Sequence, residues 1–147
     1  MPEHPSASRV VFATVVDTPI AVRDCADAVA NAAAGAVVTF EGVVRDHDGG
    51  RGVLALDYEG HPQAGEVIAS VAAAVAEQFP GVTIAVSHRV GALVIGDVAL
   101  AAAVSSAHRA EAFAACGRLV DAVKESVPIW KEQRFTDGTS EWVGSLG

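Results

Sequence analysis

The chain has 147 residues, 51% hydrophobic and 19% charged, which excludes a globally disordered polymer and suffices for a core without disulfide staples. A formal net charge of −8 excludes a general nucleic-acid coat, so any anion site must be a local cluster drawn from only 10 lysines and arginines. No apolar run reaches membrane-spanning length without a charge or a breaker.

Residues 1–8 are polar, carry two prolines and lack the charged-then-apolar layout of a signal peptide. They are expected to form a flexible N-terminal tail ahead of one domain spanning residues 9–147. Arg9 to Val16 is β-branched and apolar and reads as a strand. Thr18-Pro19 reads as an N-cap followed by proline at the first helical position, opening a helix whose inner face is Ile20, Val22, Cys25, Ala26 and Val29. Ala36 to Val44 is a second strand, and the Asp/Gly-rich run Asp46 to Gly52 reads as an exposed, mobile loop. Val53 to Glu59 alternates with a period of two, with Leu54, Leu56 and Tyr58 on its apolar face.

His61-Pro62 opens a second helix that runs to Phe79, with Val67, Ile68, Val71, Ala74, Val75 and Gln78 inward, and Pro80-Gly81 stops it. Val82 to Val90 is a strand, Gly91 and Gly96 bracket a short segment, and Asp97 to Ser106 is a further strand. Ala107 to Ser126 is a third helix with Phe113, Cys116, Leu119, Val120 and Val123 along one side. Pro128 to Phe135 is a strand, Asp137-Gly138 a turn, and Glu141 to Val143 a last short strand. Neighbouring strands without helices between them imply antiparallel pairs, so the class is α+β, and helices on one side of the sheet would give a ferredoxin-like sandwich, elaborated.

The scarce cations carry the chemistry. Lys124 and Lys131 are the only lysines, one in the last turn of the third helix and one on the following strand. Read alone, the first suits the helix dipole and the second is an edge-strand charge that discourages aggregation. His108-Arg109 opens the third helix, where a cation opposes the dipole unless an anion is shared with the free N–H groups. Arg45 closes the second strand beside the Asp/Gly run. His88-Arg89 reads as a turn anchor bonded to the backbone, with an anion contact as the alternative. Phe40 and Trp130 default to core packing, or to stacking on a planar heterocycle where partly exposed. No spacing supports a metal site. Cys25 and Cys116 lie in helical stretches and read as buried, reduced thiols of a cytoplasmic protein, with a single long-range disulfide as the alternative.

Phe40-Glu41-Gly42-Val43-Val44-Arg45 resembles the FxGxVR segment of the catalytic (large) subunit of molybdopterin synthase, the MoaE family. Further stretches match in order: Leu56-Asp57-Tyr58-Glu59, His88-Arg89-Val90-Gly91, Ile95-Gly96-Asp97, Ser106-Ala107-His108-Arg109, and Lys124 followed by Pro128-Ile129-Trp130-Lys131-Glu132. Gly138 and Trp142 also match, so the resemblance spans roughly residues 9 to 143. It implies an α/β hammerhead-type fold, mostly antiparallel sheet with three helices, and a cytoplasmic enzyme without a resident cofactor.

The resemblance also implies a homodimer at the centre of a heterotetramer, each subunit binding a small ubiquitin-like sulfur carrier. The carrier's Gly-Gly tail, activated as a thiocarboxylate, delivers sulfur to cyclic pyranopterin monophosphate, giving the dithiolene of molybdopterin. Lys124 is then nearest the carrier's terminal glycine and Lys131 is a general acid–base. Arg45, His108 and Arg109 hold anions, and Phe40 lines the pocket. A family arginine near the C-terminus is replaced here by Leu146, with Arg134 and Arg51 as candidate substitutes. The alternative is a non-catalytic module of ferredoxin-like type that senses an anion or binds a ubiquitin-like partner.

Overall fold

The computed structural model describes residues 8–144. Of the expected tail, residues 1–7 lie outside the described residues. Ser8 is anchored: its hydroxyl donates to the Phe79 carbonyl at 3.0 Å and accepts from the Gly81 N–H at 3.2 Å.

Two sheets form the frame. The first has four strands in the order β1 (Arg9–Val16), β5 (Thr83–Arg89), β7 (Val98–Ser106) and β2 (Ala36–Val43). Only β1 and β5 run parallel; β7 is antiparallel to both of its neighbours. Small side chains make β7 the central layer. Leu100, Ala102 and Val104 pack on one face with Ile84 and Val86, under α2 (Ala64–Gln78) and α3 (Arg109–Ser126). Ala101 and Ala103 pack on the other face with Ala85, against Cys25 and Val29 of α1 (Val22–Val29). Alanine on both faces of one strand lets helices approach from both sides. The helices therefore do not share one side, which corrects the expected ferredoxin-like sandwich, while the α+β class stands.

The second sheet is built on β4 (Arg51–Gly60). β8 (Ile129–Phe135) and then β9 (Ser140–Val143) extend it on one edge, and β6 (Gly91–Val94) pairs with the other. β3 (His47–Asp48) pairs with the start of β4. The run Asp46 to Gly52 is thus a hairpin rather than a loop. Gly49 and Gly50 both take positive φ, 57° and 80°, the backbone a tight two-residue turn needs to match strand twist.

A register shift between Val53 and Ala55 breaks the expected alternation of β4. The bulge turns both Val53 and Leu56 into the core and leaves Leu54 58% exposed, which corrects its assignment to the apolar face.

Helix starts also differ from expectation. α1 begins at Val22 with Ala21 as its N-cap, so Thr18-Pro19 precedes the helix without capping it. α2 begins at Ala64, after a turn in which His61 Nδ1 accepts from the Gln63 N–H. Its buried stripe is Ala64, Ile68, Ala72, Val75 and Ala76; Ala74 and Gln78 are exposed. α3 buries Ala112, Ala115, Cys116, Leu119 and Val123, so Phe113, one residue round from Ala112, is 63% exposed.

Candidate active site

Four chain segments change hands between the two sheets at one corner. β2 ends at Val43 and hands on through Val44 and Arg45 to β3; β5 passes through Val90 into β6; β7 starts after the Gly96-Asp97 turn; and the C-terminal end of α3 feeds β8. Backbone bonds lock the corner: Val44 N–H donates to Asp97 O at 2.9 Å, and Gly96 N–H donates to Val44 O at 2.9 Å. A cavity of about 410 Å³ opens there.

Four of the six residues that the resemblance assigns to the site line it: Phe40 and Arg45 from β2 and its exit, Lys124 from α3, and Lys131 from β8. Lys131 is directed inward by strand geometry. It lies opposite Tyr58 across the β4–β8 pair, and Gln133, two residues on, shares its face. The same alternation sends Trp130 to the outer face, where it is 40% exposed rather than core.

The electrostatics follow from the crowding of cations. Burial pushes the Lys131 ammonium below its ordinary pKa, and the Lys124 and Arg45 charges push the same way, against Asp48 and Glu141. Asp48 is the local counter-charge. Its carboxylate accepts from Gln133 Nε2 at 2.8 Å and from Arg45 Nη2 at 3.3 Å. The Gln133 bond is the main reason its pKa falls below the usual carboxylate value, and the Lys131 and Arg45 charges add to it. The hairpin missed in the sequence is what brings Asp48 here.

At the floor, His88 was expected as a turn anchor with an anion contact as the alternative, and Tyr58 only as a residue of an apolar face. Tyr58 and the buried His88 line that floor, their rings edge-on with centroids 5.1 Å apart. His88 Nδ1–H donates to its neighbour's carbonyl, Arg89 O, at 2.7 Å, the backbone anchor expected from sequence, and Arg89 faces Asp97 at 3.5 Å. Burial raises the phenol pKa of Tyr58, so it stays protonated. A single histidine or tyrosine in a strand gives no signal of which cavity it faces; only the pairing of strands decides that.

His108 and Arg109 are not brought to this cavity within one chain. They stand exposed at the far end of α3, fifteen residues from Lys124, or roughly 22 Å at the usual helical rise. His108 is the N-cap residue and makes no side-chain capping bond. Leu146 lies outside the described residues. Neither candidate substitute lines the cavity. Arg134 pairs with Asp57 at 3.3 Å on the outer face, and Arg51 stacks 3.6 Å above Phe135 and donates to Thr139 Oγ1 at 2.6 Å.

Cys25 and Cys116 are buried free thiols in separate clusters. Burial raises both pKa values, Cys25 to about 11, which favours the protonated thiol in each. Among the described residues no group of three His, Cys, Asp or Glu side chains is placed to hold a metal ion. None of the described helices is long and apolar enough to cross a membrane.

The model of the MoaE protein family matches residues 15–126. The molybdopterin synthase catalytic subunit of Bacillus subtilis (strain 168) is 37% identical over 131 residues, covering 88% of this chain and 83% of that protein. Molybdopterin synthase catalytic subunit 1 of Mycobacterium tuberculosis is 38% identical over 134 residues, 90% of each. The X-ray structure of molybdopterin synthase from Staphylococcus aureus superposes with a TM-score of 0.84 at 36% identity, over 90% of this chain and 96% of that one. A lysine-lined corner cavity on this fold, together with these matches, places the chain in the MoaE family, the catalytic subunits of molybdopterin synthase.

Proposed function

We propose that this cavity transfers sulfur from the thiocarboxylated Gly-Gly tail of a small ubiquitin-like carrier to cyclic pyranopterin monophosphate, forming the molybdopterin dithiolene. The observation that carries the reading is the convergence of Lys124, Lys131 and Arg45, from three separate elements, on one cavity of a chain whose net charge is −8. Both ligands are anionic, and clustered cations offset their mutual repulsion and hold the reacting groups together. Each transfer forms a C–S bond at a carbon of the pterin substrate as a C–O bond there breaks, its oxygen leaving with the opened phosphate ester or as water, and the acyl C–S bond of the tail then breaks. Water supplies the oxygen that returns the tail as a carboxylate.

Lys124, on the cavity lining, binds the carrier's last glycine. Lys131, whose ammonium is destabilised by burial and by its neighbours, exchanges protons with the reacting groups. Arg45 holds the pterin phosphate, released from Asp48 as the anion arrives, and Phe40 forms an apolar wall. His108 and Arg109 serve the cavity of a second copy, since the length of α3 keeps them from their own. The working unit is therefore a homodimer carrying two sulfur carriers. Two buried, unpaired cysteines suit a reducing compartment, the cytoplasm.

Thiocarboxylated carrier and cyclic pyranopterin monophosphate mixed with the protein should yield dithiolene. No product, with both ligands bound, would leave a binding module instead.

A further inference from the structure

The floor of the cavity holds a polar atom with no assigned work. His88 is 1% exposed. Alternation along β5 puts it on the same face as Ile84 and Val86, the face covered by α2 and α3. Its Nδ1–H is committed to Arg89 O, so the free lone pair sits on Nε2. The edge-on contact with Tyr58 fixes the ring plane.

Nε2 takes no hydrogen bond from any described residue, and it is not sealed off, because His88 lines the cavity. The charged lining around it is mostly donor: Arg45, Lys124 and Lys131 are cations, and the Asp48 carboxylate is already engaged by Gln133 and Arg45. A ligand that brings its anion to the cations and displaces water from the floor therefore leaves His88 Nε2 without a partner unless it supplies a donor. Leaving such an atom unpaired is costly, and a matching donor is selected strongly over its absence.

We propose that His88 is a specificity-determining residue of this site, accepting at Nε2 a hydrogen bond from an N–H of the bound ligand. The inference rests on the sulfur-transfer reading, which supplies two sources of that N–H: the pterin ring and the amide of the carrier's terminal glycine. The groups around the imidazole keep it an acceptor. Lys124 on α3 faces it with positive charge, Tyr58 on β4 stays a neutral phenol, and Arg89 on its own strand turns to Asp97. Burial, with the Lys124 charge, brings the His88 pKa down to about 4.

The test uses the full chain with ¹⁵N-labelled histidine and ¹³C-labelled lysine. The two lysine signals report occupancy, and His88→Gln assigns the His88 resonance. Cyclic pyranopterin monophosphate is added without carrier; in a second sample, carrier ending in an ordinary carboxylate is added without pterin. The Nε2 resonance should shift on one addition, which identifies the source. Lysine signals that move on both additions while Nε2 stays still would overturn the proposal and leave the functional reading intact. Lysine signals that move on neither would overturn both.

Kinetics add a second readout. His88→Phe, which keeps the ring but loses the acceptor, should raise KM for the identified ligand about tenfold with kcat within about twofold, and His88→Gln should recover most of it. A loss in kcat alone would count against the assignment. If His88→Phe does not fold, the wild-type Nε2 shift decides.

Discussion

The two ends of α3 carry the same kind of residue and meet different fates. Its C-terminal Lys124 is drawn into the corner between the sheets, where β8 begins and Lys131, Arg45 and His88 face a common space. Its N-terminal His108 and Arg109 stand in solvent with no partner in the chain among the described residues. Eighteen residues of helix separate the two ends, and helices do not bend back on themselves. Cations at one end of a rigid rod can act locally, whereas those at the other end, on the proposed reading, serve a second copy.

The comparison breaks most sharply at Lys124. Lys124→Ala should reduce dithiolene formation by at least about a hundredfold, while thermal unfolding moves little, because a helix-end cation contributes about 0.3–1 kcal/mol. Near-normal turnover would leave the corner cavity without its chemistry. Lys131→Ala should slow turnover comparably, with carrier affinity retained in a titration by calorimetry.

Subunit mixing sharpens the far end. Arg109→Ala should raise the pterin concentration needed for half-maximal turnover. Dimers mixed from Lys124→Ala and Arg109→Ala chains should regain up to half of the wild-type rate. If Arg109 works across the dimer, one of the two sites then holds both residues. No recovery after verified exchange would mean that Arg109 acts within its own chain or not at all.

His88 predicts a pH dependence of stability. Its pKa falls from an ordinary 6.5 to about 4 in the folded chain. Above pH 6.5 both folded and unfolded chains hold it neutral. As pH drops from 6.5 towards 4 the unfolded chain takes up the proton and the folded chain does not, so stability falls, by about 3 kcal/mol in all. Urea unfolding at pH 7 and pH 4.5 should show the loss, and His88→Gln should lack this component. The smallest effect expected is at the hairpin: Gly50→Ala, at a φ of 80°, should cost about 1 kcal/mol and weaken pterin binding by shifting Asp48 and Arg45.

The order of the helices and long strands was legible in the sequence because it depends on local signals such as apolar periodicity and the Pro80-Gly81 stop, and the lysine pair stood out through the resemblance of Lys124 and Pro128-Ile129-Trp130-Lys131 to the family. The resemblance of the segment Phe40 to Arg45 to the family's FxGxVR motif also marked Arg45 and Phe40. The sequence could not reveal the bulge that buries Val53 and exposes Leu54, because a one-residue slip in strand pairing is set by the partner strand, β8. Nor could it reveal the hairpin at Gly49-Gly50, whose composition suits a loop equally well. His88 looked like a backbone anchor, and it is one. That it also lines the lysine cavity depends on β5 bringing it against Tyr58 of β4, a contact between residues distant in sequence. Local chemistry thus determined which residues were available. Tertiary structure decided which of them share a cavity, because strand register and helix length fix the distances that Coulomb and hydrogen-bond forces act across.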